Sequence, residues 1–144
     1  MGATDPDDFL NALGKNKNGE GHGDILIWKR KAEKYLVDSG LQYTIIHPGG
    51  LKNSPGGEMN LHLDVDDKLK ANKIRTISRC DVARLGVAAL SQSNGKSTSF
   101  DCVNAEIPEG SRRKTADTSL REFMASEMMY DYSDMDEIVE DYSI

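Results

Sequence analysis

Cysteine is almost absent: Cys80 and Cys102 are the only two, set far apart and with no partner spacing. That excludes a disulfide framework and argues against a thiolate metal site, leaving two reduced structural thiols and an intracellular setting as the expectation. No apolar run approaches the ~20 residues that a membrane span needs. The N-terminus, MGATDPDDFL, lacks the basic and apolar regions of a signal peptide. Basic excess is missing too, since the net charge is −6. Seven acidic residues and no lysine or arginine lie from Glu127 onward, which leaves 18 basic against 17 acidic residues in the first 126. A nearly neutral body with an acidic end carries no nucleic-acid footprint.

What is present centres on 24–51, DILIWKRKAEKYLVDSGLQYTIIHPGGL. Ile25, Trp28, Ala32, Tyr35 and Leu36 recur at helical spacing, with Lys29, Arg30, Glu33 and Lys34 on the other face. Asp24 suits the amino cap and Ser39-Gly40 the left-handed stop. Gln42 to Ile46 is short and β-rich, so it predicts a strand covered on both faces. His47-Pro48-Gly49-Gly50 is expected to end that strand abruptly.

Residues 1–23 read as a loop holding a short helix near Phe9 and an exposed histidine, His22, which also suits an acid/base role. Met59, Leu61, Leu63 and Val65 alternate with Asn60, His62 and Asp64, predicting a half-buried strand with His62 solvated. Ile74 to Ser78 gives a short extended piece. Asp81 to Ser91 predicts a helix burying Val82, Leu85, Ala89 and Leu90, with Gly86 marking close packing. Ser97 to Val103 predicts a strand with Phe100 and Cys102 on one face and Ser99, Asp101 and Val103 on the other. Ser119 to Met129 predicts a helix. Residues 127–144 form an acidic tail expected to be disordered, or to serve as a docking peptide for a protein partner.

WKRKAEKYLVDSGLQYTIIHPGGL resembles the middle of an atypical short-chain dehydrogenase/reductase of the NmrA-like, NAD(P)-binding kind. Ile77-Ser78-Arg79-Cys80-Asp81-Val82-Ala83 and Ser99-Phe100-Asp101 extend the resemblance, which covers residues 1–126. It implies one α/β domain: the C-terminal half of a Rossmann-like, doubly wound parallel sheet. By the same resemblance Lys29 would bond the ribose of NADP or NAD, and His47, Pro48, Gly49, Gly50 and Leu51 would flank the nicotinamide. A solvated lysine and a plain strand-ending turn are the competing readings of those residues, and both stay open. His47 stands where the family more usually has arginine.

Two family features are missing. The tyrosine that donates a proton would lie one helical turn before Lys29, and that position is Ile25. No catalytic residue is therefore assigned, and no metal ligand. The glycine-rich strand–turn–helix that holds a pyrophosphate is also absent. A fragment of a reductase-like protein is expected, beginning inside the fold and unable to hold dinucleotide alone. The alternative is a non-catalytic NADP(H) sensor or a protein-interaction module. A cytoplasmic or plastid location is expected, with no nucleic-acid or membrane partner.

Overall fold

A computed structural model describes Asn18 and residues 25–92 and 95–133. The expected loop at 1–17 and His22 lie outside the described residues. The chain forms two compact units, one spanning Gln42–Tyr130 and the other including 25–41 and 131–133.

The second of these contains helix α1, Ile25–Asp38, which stops as predicted: Gly40 takes φ +74°, and the Ser39 N–H bonds the Leu36 carbonyl. Its expected apolar face needs correction. Ile25, Trp28 and Tyr35 are exposed, the last to 81%, while Leu26 and Arg30 are the buried residues. The cause is local. The Arg30 guanidinium donates to the Asp131 carbonyl at 2.5 Å and lies 4.3 Å over the Tyr132 ring. That face of the helix is thus taken by a charge-assisted bond and a cation–π contact rather than by apolar packing.

The larger unit is mixed α/β. Strands β1 (Thr44–Pro48), β5 (Thr98–Ala105) and β3 (Asn60–Asp64) form one sheet in the order β1-β5-β3. β1 runs parallel to β5, with Ile46 opposite Phe100 and His47 opposite Asp101. β3 runs antiparallel to β5, with Leu63 opposite Cys102. A second, two-stranded parallel sheet joins β2 (Gly50–Lys52) to β4 (Thr76–Ser78). Helix α2 (Arg79–Gln92) follows β4 without a break, and α3 (Ala116–Ala125) packs on α2 and β3. Thr115 caps α3 by accepting the Thr118 N–H at 3.1 Å.

The strand covered on both faces is β5, not β1. Residues 99–104 are all buried, whereas Thr44, Ile45 and Ile46 are half-buried. Among the described residues β5 sits between two strands and β1 pairs with β5 alone, and the apolar character of 42–46 overstated its burial. Phe100, Leu85, Leu120 and Ile77 are fully enclosed, with the Phe123 ring 5.3 Å from that of Phe100. Leu90, expected inside, is 86% exposed, and Ala88 takes its place in the core. Gly86 does not mark close packing, since a Cβ there would meet nothing within 4 Å. His62 is exposed as expected, its Nδ1 lying 3.0 Å from Asn72 Nδ2. Of the acidic end, residues 127–133 are described; Tyr130 is buried, and 134–144 lie outside the described residues.

Candidate functional site

The His-Pro-Gly-Gly stretch ends β1 as predicted, though not in a turn. His47 and Pro48 are its last two residues, and the chain passes through Gly49 directly into β2. Proline is tolerated because the Gly49 N–H donates to the Cys102 carbonyl at 2.9 Å. Alternation then turns the nitrogen of Pro48 to the side away from β5, where the ladder asks for no donor.

Gly49 is the crossing point between the sheets. A Cβ there would lie 2.4 Å from the Arg75 carbonyl oxygen and 2.9 Å from Val103 Cγ1. The Gly50 N–H donates to that same Arg75 carbonyl at 2.9 Å. Both glycine donors are therefore used inside the fold. Gly50 and Lys52 are the β2 residues that bond β4, so Leu51 turns its N–H and C=O away from β4. Leu51 is 46% exposed. Its backbone N–H and C=O stand outside the β2–β4 ladder.

His47 points inward. It is buried, its Nδ1 lies 3.7 Å from Asp101 Oδ1, and the Tyr130 ring packs on it with centroids 4.9 Å apart. Asp101 is fully enclosed, and its other oxygen accepts the Asp67 N–H at 2.8 Å. Asp67 sits at φ 57°, which turns that N–H toward the carboxylate. Burial is the main reason the Asp101 carboxyl is pushed up to about 6, with the Asp67 carboxylate adding to the rise. His47 and the Asp67 N–H pull the other way. Asp101 was legible as a charge within an apolar strand, but nothing in the sequence tied it to His47. Cys102, beside it in β5, has its thiol pushed up to about 12 by burial, so it is an inert structural thiol.

A second polar cluster fixes the far end of the loop that follows β2. Asp81, in the first turn of α2, accepts the Gly57 N–H at 2.7 Å, Asn104 Nδ2 at 3.1 Å and Arg84 Nη1 at 3.2 Å. Ser78 Oγ accepts the Asp81 N–H, and the Ser78 N–H donates to Asn104 Oδ1. The carboxylate also sits favourably at the positive end of the helix. Thus Ser78-Arg79-Cys80-Asp81 is a structural clasp: it joins β4, α2, β5 and the loop at Gly57. Asp81→Asn keeps the shape but turns an amide N–H₂ toward existing donors. A loss of about 2 kcal/mol in urea unfolding is expected, and an unchanged midpoint would show the clasp to be dispensable.

Lys29 lies on α1, exposed, in the other unit. The remaining predicted residues, His47 to Leu51, form one continuous path in the larger unit. A groove of about 500 Å³ between α2 and the start of α3, lined in part by Arg84, Val87, Arg113 and Asp117, includes none of them. Among the described residues no cluster of metal-ligating side chains occurs, and no helix is long and apolar enough to cross a membrane.

Two parallel strand pairs, one antiparallel pair and a glycine crossing at the carboxyl end of β1 make this a mixed α/β protein. Residues 1–93 match the NAD(P)H-binding family, and the chain belongs to that family. It is 46% identical over 117 residues to sanguinarine reductase of Eschscholzia californica, covering 81% of this chain and 40% of that protein. Two uncharacterized chloroplastic proteins of Arabidopsis thaliana are similar as well. One is 43% identical over 81% of this chain and 33% of its own length. The other is 40% identical over 72% of this chain and 32% of its own length. The chain therefore spans well under half the length of these curated relatives.

Proposed function

We propose that this chain supplies the nicotinamide-side portion of an NAD(P)H-dependent, reductase-like protein, as the C-terminal half of a Rossmann-like sheet. The observation that carries the reading is the backbone of Leu51, turned from β4, beside two glycines whose own donors are committed to the fold. A carboxamide needs a backbone donor and acceptor side by side, and Leu51 offers both. Lys29 would hold the ribose, and the Pro48-Gly49-Gly50 path would form the wall beside the ring. The part of His47 is to anchor that wall through Asp101. Bound cofactor would supply a hydride. The residues present fit the nicotinamide end only, since no glycine-rich turn for a pyrophosphate occurs in the sequence.

The similarity to a protein named a reductase supports reduction as the activity of the whole protein, and the chloroplastic relatives support a plastid setting. A second reading, a sensor that holds NADP(H) without turnover, is favoured by one observation. Ile25 occupies the position of the proton-donating tyrosine and has nothing to donate.

Amide NMR of the 144-residue chain tests the proposal, with NADPH and reduced nicotinamide mononucleotide as ligands. Both are expected to shift Gly50 and Leu51 to the same extent and to bind equally weakly, in a millimolar range worth about 4 kcal/mol. Micromolar binding of NADPH would show that the chain also holds the pyrophosphate. No shift at Gly50 or Leu51 with either ligand would leave an interaction module as the better account.

A further inference from the structure

Helix α3 is capped by a threonine that neither the cofactor path nor the Asp81 clasp uses. Thr115 follows Arg112, Arg113 and Lys114. It is the one serine or threonine of the sequence with basic residues at both the second and third preceding positions. All four residues are exposed, and 111–115 lies in neither a helix nor a strand. Thr115 itself is extended, at φ −76° and ψ 164°. The run thus has the form in which an extended peptide is read. Ala116, the first residue of α3, is buried, so reading the site needs that residue to fray, which helix ends do at little cost.

A second, independent observation is the groove of about 500 Å³ between α2 and the start of α3. Thr115 and Arg113 line it from one side and Arg84 from α2. Its one carboxylate, Asp117, already accepts Gln92 Nε2 at 3.1 Å. Arg84 donates through Nη1 to Asp81 at 3.2 Å, and Arg113 through Nη1 to the Lys114 carbonyl at 3.1 Å. Each guanidinium carries five N–H groups, so both keep donors beyond these bonds. Two guanidiniums against one carboxylate suit the groove to an added anion.

We infer that Thr115 is a phosphorylation site for a serine/threonine kinase that reads arginine before the acceptor, and that Arg84 and Arg113 receive the phosphate in this groove. In the transfer, Thr115 Oγ1 forms a bond to the γ-phosphorus of ATP, and the bond from that phosphorus to the β–γ bridging oxygen breaks. ADP leaves, and the hydroxyl proton passes to the kinase's base. In the unmodified chain Oγ1 accepts the Thr118 N–H at 3.1 Å and lies 3.0 Å from Thr118 Oγ1. The phosphate oxygens, with a total charge of about −2, take over that acceptor role. Their bonds to guanidinium are charge-assisted and stronger than the neutral cap. The modification therefore tightens the packing of α3 on α2.

The experiment uses the full 144-residue chain with ATP and an arginine-directed serine/threonine kinase. The product is mapped by mass spectrometry, and urea unfolding is compared with and without the phosphate. About one phosphate per chain is expected on Thr115. Thr115→Asn, which keeps a capping acceptor but has no hydroxyl, should take none. Arg112 and Arg84 separate the two halves of the inference, since Arg112 does not line the groove and Arg84 lies outside the basic run. In the wild-type chain the phosphate should lower the unfolding equilibrium constant roughly tenfold, the effect of about one charge-assisted bond. Arg112→Gln should slow phosphorylation by a similar factor and keep that stabilisation. Arg84→Gln should be phosphorylated at the wild-type rate and lose it. Phosphate absent from Thr115, or incorporated as fast in Arg112→Gln, overturns the assignment of the site. Stability unchanged or lowered by the phosphate, or raised equally in Arg84→Gln, overturns the seat in the groove.

Discussion

Gly49→Ala is expected to lower stability by about 4 kcal/mol, through overpacking and two strained hydrogen bonds. The added methyl would meet a backbone oxygen at 2.4 Å and a buried Val103 methyl at 2.9 Å. Neither can swing aside as the end of a flexible side chain could. The Arg75 carbonyl is held by the Gly50 N–H and is followed by β4, while Val103 is fully enclosed within β5. Relief would require moving the crossing between the sheets and stretching the bonds that Gly49 and Gly50 donate. Gly50→Ala is the matched control. Its Cβ would approach only the Thr76 methyl at 3.2 Å and the Arg75 oxygen at 3.7 Å, on an exposed residue. Its cost should be small, within about 1 kcal/mol. Urea unfolding of the two variants decides the matter. Equal midpoints would mean that the crossing is looser than its geometry, and the wall proposed for the nicotinamide would lose its rigidity.

This comparison also shows what sequence reasoning could and could not see. A Pro-Gly-Gly run announced a special backbone, but it read as a turn because turns are where those residues most often occur. Its actual use, a close approach between two sheets, depends on Arg75 and Val103, which lie 26 and 54 positions away. The helices were legible, since period and stop signals are local; Gly40 ends α1 as its sequence implies. The burial of faces was less so. Leu90 and Ala88 have similar claims by periodicity, and only the placement of α3 against α2 makes Ala88 the inner residue. Arg30 was placed on the polar face by its charge, yet it is 1% exposed because a carbonyl and an aromatic ring 101 and 102 positions later receive it. Asp101 is the same lesson in the candidate site. Alternation set it on one face of β5, but its link to His47 comes from the parallel register of β1 with β5.

That link sets the second large effect. The Asp101 carboxyl rises from 3.8 to about 6 in the folded chain, chiefly because burial disfavours its charge. Between those values the folded state keeps a proton that the unfolded state has released. Stability from this group is therefore fully present below pH 3.8 and is lost as pH rises through about 6. The loss amounts to about 3 kcal/mol, from the size of the shift. Asp101→Asn removes the titration while its amide oxygen still accepts the Asp67 N–H and its N–H₂ faces His47. The variant should match the wild type near pH 4, exceed it increasingly between pH 4 and about 6, and keep a constant advantage above that. The quantity to measure is the difference between the two unfolding free energies at each pH, which cancels every other titrating group. A difference that grows through about pH 6 would show that His47 does not repay the burial of an ionised Asp101. A flat difference would mean that the pair compensates fully, with His47 and the Asp67 N–H holding the charge at no net cost. The anchor beneath the glycine crossing would then be equally firm across the whole range.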